Sequence, residues 1–275
     1  MLKSSLMFFF VLLYIAGTAL AGPPEPVVVF AGSASQPPLE AAAEIFQAKT
    51  GIPVTLYLGG SGSMLNQIRL TGQGDVYIPG SPDFMDKARN FGLVDAESIP
   101  IAYLVPAIIV SKGNPLHIRG LQDLQRPGLR IGIADPHGVC VGLYAVEILE
   151  ANGAVDKVRP NLRGMVESCA KVASMIPLNM VDVVLGWREF AGWNPEIMEA
   201  VLLDQDEVLR LAYIPAAVLS KSKNPEGAEA FIAFLTSVEG QAIFQKWGYF
   251  TDEATARELA PAARIGGVYM LQEGW

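Results

Sequence analysis

Short apolar runs alternate with amphipathic stretches along most of this sequence. Residues 27–30, 54–58 and 75–78 are apolar runs of strand length, and each precedes a stretch with helical spacing. In the first such stretch, residues 39–49, apolar side chains recur every three or four positions. Strands that alternate with helices in this way predict an α/β fold, with mostly parallel sheets flanked by helices.

The second half of the chain repeats the same alternation. Residues 129–134 and 182–185 are predicted strands, and residues 143–152, 225–235 and 238–247 are predicted helices. A chain of 275 residues approaches the size at which a single hydrophobic core stops growing. Two lobes are therefore expected.

Two long apolar segments resemble each other, and each contains an internal proline. Residues 102–110 read AYLVPAIIV, and residues 211–219 read LAYIPAAVL. Proline within a strand is confined to an edge, a strand end or a bend, because it cannot donate a backbone hydrogen bond. We interpret the two segments as strands that lie side by side at a hinge between the lobes.

The N-terminus has the pattern of a secretory signal. Lys3 precedes an apolar run at residues 6–15, and Ala19 and Ala21 place small residues before a predicted cleavage after Ala21. The apolar run is shorter than the ~20 residues that span a bilayer. Residues 1–21 are thus a predicted signal peptide, and the mature chain is expected in the periplasm, where a disulfide can persist.

Composition narrows the range of functions. The formal net charge of −8 argues against a nucleic-acid-binding protein, which would normally present a basic face. The chain has two cysteines and two histidines, and no spacing among them supplies the three or four ligands of a metal centre. No metal site is predicted.

Two serine-bearing loops follow successive predicted strands and precede helices. Residues 31–35 read AGSAS, and residues 59–63 read GGSGS. Ligands of open α/β sheets bind beyond the carboxyl ends of the strands, where the free N–H groups of helix N-termini attract anions. We predict that both loops face one anion-binding crevice. The alternative is that the serines only cap the helices that follow them.

A third loop of the same kind, at residues 135–142, lies in the second half of the chain. His137 and Cys140 within it are residue types that can form a nucleophilic pair. No further members of a hydrolase triad accompany them. The chain is therefore predicted not to be an enzyme, and an enzyme that uses Cys140 is kept as a rival hypothesis.

Cys140 and Cys169 lie in separate predicted loops. One disulfide between them is the expectation for an exported protein. The alternative is a pair of soft ligands for a thiophilic species, which would require reduced thiols.

The segment after the last strand of the second lobe contains two further candidates. Trp187 is a candidate wall of the ligand cleft, and Arg188 is a candidate partner for an anion. The alternatives are core packing for Trp187 and a solvated ion pair between Arg188 and Glu189.

Five segments, taken in order, resemble those of one protein family. They are VVVFAGSAS, LGGSGSMLNQI, GQGDVYIPGSPDFM, IADPHGVCVGLYA and VDVVLGW. The series resembles the periplasmic molybdate/tungstate-binding proteins of ABC transporters, which have the type II solute-binding fold. It covers nearly the whole mature chain. The resemblance implies two lobes that close over a tetrahedral oxyanion held by serine hydroxyls and backbone amides, with no cofactor besides that bound ligand.

The resemblance also implies which residues contact the anion. Ser33 and Ser61 are the principal serines, and the Val141 backbone amide and the helix start near Cys169 face them from the second lobe. Neighbouring residues in each loop are alternatives in register. The full set of candidate ligand-binding residues is Ser33, Ala34, Ser35, Ser61, Gly62, Ser63, Val141, Cys169, Trp187 and Arg188.

One position departs from the family pattern. The family usually has a tyrosine after the last strand of the second lobe, where its hydroxyl donates to the oxyanion, and here that position is Gly186. Trp187 and Arg188 are the candidate replacements. The alternative function is an exported sensor of the same fold that binds sulfate, a phosphate-like anion or a thiophilic arsenite-like species for a membrane receptor.

The resemblance implies an arrangement of domains and a set of partners. Lobe I is expected at residues 22–103 and 213–275 and lobe II at 104–212, with the hinge near 103–105 and 212–214. The expected partners are a small oxyanion and an ABC permease in the inner membrane. No nucleic acid is expected, and the protein is expected to be a monomer.

Overall fold

The structure is a computed structural model that describes residues 24–95 and 97–275, so the predicted signal peptide lies outside the described residues. The strands are β1 (Val27–Gly32), β2 (Val54–Gly59), β3 (Val76–Ile78), β4 (Ile99–Leu104), β5 (Pro106–Ser111), β6 (Ile131–Ala134), β7 (Leu162–Val166), β8 (Val183–Trp187), β9 (Met198–Leu202), β10 (Arg210–Val218) and β11 (Arg264–Ile265).

Ten α-helices are assigned in the described part of the chain. They are α1 (Gln36–Thr50), α2 (Ser61–Thr71), α3 (Pro82–Asn90), α4 (Cys140–Ala151), α5 (Val155–Val158), α6 (Cys169–Ser174), α7 (Phe190–Trp193), α8 (Pro225–Thr236), α9 (Val238–Lys246) and α10 (Glu253–Arg257). Short 3₁₀ turns occupy Ser33–Ser35, Leu121–Gln125 and Arg159–Asn161. Within residues 24–95 and 97–275, no helix has the length and apolar character needed to cross a bilayer.

The strands form two sheets, which confirms the predicted two-lobed α/β class. One sheet has six strands in the order β11-β10-β3-β1-β2, with β4 also paired to β10. The other has five strands in the order β7-β6-β8-β5-β9. The first sheet and its helices are called lobe I, and the second sheet and its helices are called lobe II.

Both sheets are mixed. In lobe I, β1 runs parallel to β2 and β3, whereas β10 runs antiparallel to β3 and β4. In lobe II, β6 runs parallel to β7 and β8, whereas β5 runs antiparallel to β8 and β9. The parallel strands β1, β3 and β6 are almost entirely buried, as expected for strands covered by helices on both faces.

The long apolar segment at 102–110 is two strands instead of one. Strand β4 ends at Leu104 in lobe I and β5 begins at Pro106 in lobe II, so the chain changes lobes at Val105. Pro106 is the first residue of its strand, where its missing N–H removes no regular ladder hydrogen bond. The first crossing point therefore coincides with the internal proline.

The second proline-containing segment returns the chain to lobe I. Strand β10 lies beside β4, with Ala212 opposite Leu104, and its register shifts between Ile214 and Pro215. The change of lobe itself occurs earlier, at residues 203–209 between β9 and β10.

A buried arginine ties the two lobes together. Arg210 in β10 is 1% exposed, and its guanidinium contacts Glu147 of α4 in lobe II and Asp83 of α3 in lobe I. Its Nε lies 2.7 Å from one Glu147 oxygen, and its Nη1 also donates to the Gly267 carbonyl at 2.6 Å. Two carboxylates and a carbonyl thus compensate the charge that Arg210 loses to water.

A buried carboxylate lies beside the first crossing point. The side chain of Glu189 is shielded from solvent and accepts from the Val105 backbone N–H at 3.3 Å. Burial raises the pKa of Glu189 from 4.5 to about 7, although neighbouring Arg188 acts to lower it. Glu189 therefore holds its proton more tightly in the folded protein than in the unfolded chain.

This burial predicts a pH-dependent stability. Because the folded pKa of Glu189 lies above its unfolded value, its contribution to stability is complete below pH 4.5 and is lost as the pH rises through about 7. Glu189→Gln keeps an acceptor for Val105 and carries no charge. We expect this variant to be more stable than wild type at pH 8, by up to about 3 kcal/mol, and similar to it near pH 4.5.

Denaturant unfolding of both proteins between pH 4.5 and pH 8 measures this difference. Glu44→Gln, at an exposed position on α1, is the control, and its difference from wild type should not change with pH. A Glu189→Gln difference that is equally flat would contradict the prediction.

Candidate anion-binding cleft

The first serine loop lies between β1 and α1 and reaches across to lobe II. Ser33 is 2% exposed, and its hydroxyl oxygen accepts the backbone N–H of Ala170 at 3.1 Å. Ala170 is the second residue of α6, so this hydrogen bond joins the two lobes. The Tyr249 hydroxyl donates to the Ala34 carbonyl and so holds the loop in place.

The second serine loop is held within lobe I. Ser61 is the first residue of α2 and is 1% exposed, and its hydroxyl oxygen accepts the Gly80 N–H at 3.1 Å. Its carbonyl accepts the Tyr77 hydroxyl at 2.8 Å. Because Ser33 and Ser61 both use their hydroxyl oxygens as acceptors, each keeps an O–H that can be donated to a ligand.

The serines of these loops do not act as helix caps. Ser35 precedes α1 and Gly60 precedes α2, and neither helix has a side-chain cap hydrogen bond. Elsewhere the chain does use such caps, for example Ser168 on α6 and Ser237 on α9. The capping interpretation of the two serine loops is therefore wrong.

Two glycines bring the lobes into direct backbone contact. The Gly62 N–H donates to the Gly138 carbonyl of lobe II at 2.8 Å. A Cβ atom on Gly60 would lie 2.5 Å from the Glu167 carbonyl oxygen and 3.1 Å from the Gly138 carbonyl oxygen. Any side chain at Gly60 would keep the lobes apart, so the structure is a closed form.

The two cysteines meet inside the closed cleft. Each is the first residue of a helix instead of a loop residue, Cys140 in α4 and Cys169 in α6. Their sulfurs lie 3.6 Å apart and are unbonded, whereas a disulfide bond is about 2.0 Å long. The predicted bridge is not formed in this structure and stays a prediction. Cys140 also lies against lobe I, because a Cβ on Gly80 would be 2.5 Å from its sulfur.

Two N–H groups near Cys169 influence the pKa of its thiol. Burial, followed by the neighbouring Cys140, raises the pKa of Cys169 well above its ordinary value, whereas the Val141 backbone N–H and the Trp187 indole N–H act to lower it. Trp187 is fully buried, and its Nε1 makes no hydrogen bond of good geometry among the described residues. The amide predicted to reach an anion thus lies next to this thiol.

Ser63 and Arg188 are not brought into the cleft. Ser63 is on the exposed face of α2. Arg188 donates to the Gly248 carbonyl, lies 3.3 Å from Glu189 and stacks over the Phe250 ring at 4.3 Å. Arg188 lies in the turn that follows β8, and these contacts hold its side chain against residues 248–250.

The rival nucleophilic pair is not assembled either. The His137 side chain is 62% exposed, and its Nδ1 lies 3.1 Å from an Asp135 carboxylate oxygen. Cys140 is fully buried, and its recorded hydrogen-bond partner is Cys169. The structure thus gives His137 a solvent-exposed partner instead of the thiol.

Gly186, the position of the family's tyrosine, is closely packed. A Cβ there would lie 3.1 Å from both the Phe190 ring and the Val184 side chain. A larger residue would therefore need repacking around β8. Trp187, one position further along, is the group that lies beside Cys169.

Three residues of the cleft were not predicted from the sequence. Gly80 and Ser81 form a third strand-to-helix turn, after β3, and the buried Ser81 hydroxyl has no partner in the described part of the chain. Ala170 supplies the N–H that Ser33 accepts. The position of Gly80 and Ser81 between a predicted strand and a helix could have identified them as site residues. The Ala170 amide has no sequence feature that identifies it.

Two α/β lobes that are joined by two crossings and close over a buried set of hydroxyl, thiol and N–H groups define a solute-binding protein of the type II periplasmic fold. The chain belongs to the bacterial extracellular solute-binding protein family, whose pattern it matches over residues 27–250.

Relatives of this chain support the resemblance drawn from the sequence motifs. The molybdate-binding protein ModA of Mycobacterium tuberculosis is 26% identical over 234 residues, covering 83% of this chain and 87% of the relative. A putative binding protein of Haemophilus influenzae is 25% identical over 226 residues, covering 82% and 88%. The resemblance to molybdate-binding proteins is thereby confirmed.

Solved structures confirm the fold. The periplasmic molybdate-binding protein of Azotobacter vinelandii superposes with a TM-score of 0.71 at 18% identity, covering 82% of this chain and all of that one. The sulfate-binding protein SubI of Mycobacterium tuberculosis gives 0.71 at 18% identity, covering 88% and 93%. At these identities the similarity establishes the type II fold alone.

The close approach at Gly60 predicts that a single methyl group will open the cleft. In Gly60→Ala the added Cβ would overlap Glu167 of the other lobe, and overpacking of this kind costs about 1–3 kcal/mol. Since 1.4 kcal/mol is a tenfold change in an equilibrium, we expect a thiol reagent to label reduced Cys140 and Cys169 roughly ten times faster, or more.

The labelling rate under native conditions, followed by absorbance, measures this opening. Gly164→Ala is the matched control in lobe II, because a Cβ there meets nothing within 4 Å. Equal labelling rates in the two variants would show that Gly60 does not control closure.

Proposed function

We propose that this chain is the periplasmic solute-binding component of an ABC importer and that it holds a tetrahedral oxyanion, molybdate or tungstate, between its lobes. The observation that carries the proposal is the state of Ser33 and Ser61. Both hydroxyls are buried, neither caps a helix, and each accepts a backbone N–H while keeping its own proton to donate. Fixed donors of this kind suit an anion of tetrahedral shape.

The chemistry of the donors favours a fully ionised anion. Neither serine loop, at 31–35 or 59–63, contains a carboxylate that could accept a proton from the ligand. A protonated phosphate would bring an O–H group without an acceptor, which costs about 1–3 kcal/mol in a buried site. Molybdate, tungstate and sulfate carry no such proton at neutral pH.

The acidic net charge does not oppose this proposal. Charges separated by more than about 10 Å are largely screened at physiological salt, whereas buried dipoles next to the ligand are not. Two buried acidic groups between the lobes, Glu147 and Asp83, are compensated by Arg210.

Trp187 is the proposed replacement for the family's tyrosine. Its indole N–H is buried on the lobe II side of the cleft and lacks a well-aligned partner among the described residues. It packs edge-on against Tyr144, with ring centroids 5.0 Å apart, so its orientation is fixed before a ligand arrives. We assign it as a donor to the anion from lobe II, together with the Val141 amide.

The relatives favour molybdate over other anions. Several of the similar curated proteins are molybdate-binding proteins, and one, from Synechococcus elongatus, is a sulfate-binding protein. Sulfate is the second candidate, because it has the same tetrahedral shape and the same lack of protons. A role as an exported sensor for a membrane receptor would use the same cleft with a different partner.

Two serine substitutions test the site. A hydrogen bond to a charged group contributes about 1.5–3 kcal/mol, so we expect Ser33→Ala and Ser61→Ala each to weaken molybdate binding by about 10- to 150-fold. Titration calorimetry of the ligand-stripped protein measures this change. Ser63→Ala, on the exposed face of the same helix as Ser61, is the matched control and should bind as wild type does.

The same titrations with tungstate, sulfate and phosphate separate the candidate ligands. Binding of sulfate without molybdate would move the function to sulfate and leave the cleft in place. Affinities that are equal in wild type, Ser33→Ala and Ser61→Ala would remove the basis of the proposal.

A further inference from the structure

The cleft contains a pair of thiols that oxyanion binding does not use. Cys140 and Cys169 are 0% and 2% exposed, and their sulfurs lie 3.6 Å apart. They come from the first turns of two different helices, α4 and α6, and they meet where lobe I covers lobe II. Serine and backbone N–H groups would suffice to bind molybdate, so binding of molybdate does not explain the presence of the two sulfurs.

The distance between the sulfurs suits two bonds to one central atom. A thiolate bond to a soft centre is about 2.3 Å long. Two such bonds that meet at an angle of about 100–110°, close to tetrahedral, place the sulfurs roughly 3.5–3.8 Å apart. The 3.6 Å separation of Cys140 and Cys169 falls in this range without movement of either helix.

The surrounding groups argue against a simple metal cation. Residues 24–95 and 97–275 contain no group of three or more histidine, cysteine or acidic side chains that could hold a metal ion. The polar groups near the Cys169 sulfur are instead the N–H donors of Val141 and Trp187, and the Ser33 hydroxyl lies against the N–H of Ala170, the residue after Cys169. Such donors bind oxygen, so the complementary ligand has a thiophilic centre that also carries oxygen.

We propose that the reduced Cys140–Cys169 pair makes this cleft a covalent site for a trivalent arsenic oxyacid, arsenite or its antimony analogue. The inference rests on the proposed function only in using the same ligand cleft. Arsenious acid is uncharged at neutral pH and condenses with two thiols: As(OH)₃ + 2 RSH → (RS)₂As–OH + 2 H₂O. Two As–O bonds break, two As–S bonds form, and each thiol proton leaves in a water molecule.

The condensation needs no oxidant and no change of net charge. Both thiols are consumed in their neutral form, the form that burial favours for Cys169. The remaining As–OH group keeps an oxygen for the serine and indole donors of the cleft. A Cys140–Cys169 disulfide is the competing state, since it leaves no thiol to react.

The experiment uses the mature chain, reduced under native conditions and freed of reductant without oxygen. Titration with sodium arsenite, read by native mass spectrometry, should give one arsenic for each chain with loss of two waters. X-ray absorption at the arsenic edge should show two sulfur neighbours and one oxygen neighbour. This second measurement keeps the test valid even where a cysteine variant folds poorly.

Single substitutions test the requirement for both sulfurs. A second attachment raises affinity by about 10²–10⁴-fold through effective concentration, so Cys140→Ser and Cys169→Ser should each weaken arsenite binding by that factor. Ser63→Ala is the control and should bind arsenite as wild type does. Equal arsenite binding by wild type and either cysteine variant would overturn the proposal.

Parallel titration with molybdate separates the two claims. Binding of molybdate without arsenite overturns this inference and leaves the oxyanion function standing. Binding of arsenite without molybdate, tungstate or sulfate supports this inference and overturns the proposed oxyanion function. A native protein whose two cysteines are bridged, and become reducible only on unfolding, also overturns it.

Discussion

The rest of the cleft depends on the backbone contact between the lobes at Gly60 and Gly62. No side chain fits between Gly60 and the Glu167 carbonyl, and the Gly62 N–H is bonded directly to Gly138. In the same closed arrangement the Ser33 hydroxyl reaches the Ala170 amide, 137 positions away in sequence. The donor set is thus a property of the closed protein, and neither lobe contains it alone.

The buried arginine makes that closure specific. Arg210 from lobe I meets Glu147 from lobe II and Asp83 from α3, with almost no access to water. A buried ion pair of this kind adds little net stability, because desolvation offsets most of the attraction. Removing one partner is costly, however, so any closure that separates Arg210 from Glu147 is disfavoured. The cluster therefore selects one relative position of the lobes.

The sequence predicted the buried strands β1, β3, β6 and β8, because buried strands are apolar runs with sharp ends. It did not predict β7 and β9, whose residues are mostly partly exposed. The run from Ala102 to Val110 was expected at the hinge, but its division into two strands was not predicted, because only tertiary pairing assigns its halves to different sheets. Helix α4 begins at Cys140, three residues before its predicted start at residue 143, because Gly142 interrupts the apolar pattern of its first turn.

Some features of the site follow from contacts that the sequence does not show. Trp187 ends β8 beside Cys169, whereas Arg188, in the turn that follows, contacts Gly248 and Phe250. The Ala170 amide could not have been found, because a backbone N–H has no sequence signature and its role depends on a contact between lobes. The proximity of Cys140 and Cys169 likewise depends on how α4 and α6 begin against each other.

The choice of ligand in both proposals depends on which atom lies next to the N–H groups of Val141 and Trp187. Both N–H groups lie near the sulfur of Cys169 and act to lower the pKa of its thiol, as donors beside an electron-rich atom do. An oxyanion oxygen and a sulfur bonded to a soft centre are both electron-rich atoms of this kind. In both proposals the serines on lobe I donate to an oxygen of the ligand, so they do not distinguish the two ligands. The choice between the two ligands therefore lies with the thiols: free, they can bond a thiophilic centre, and bridged, they leave a cleft of donors alone.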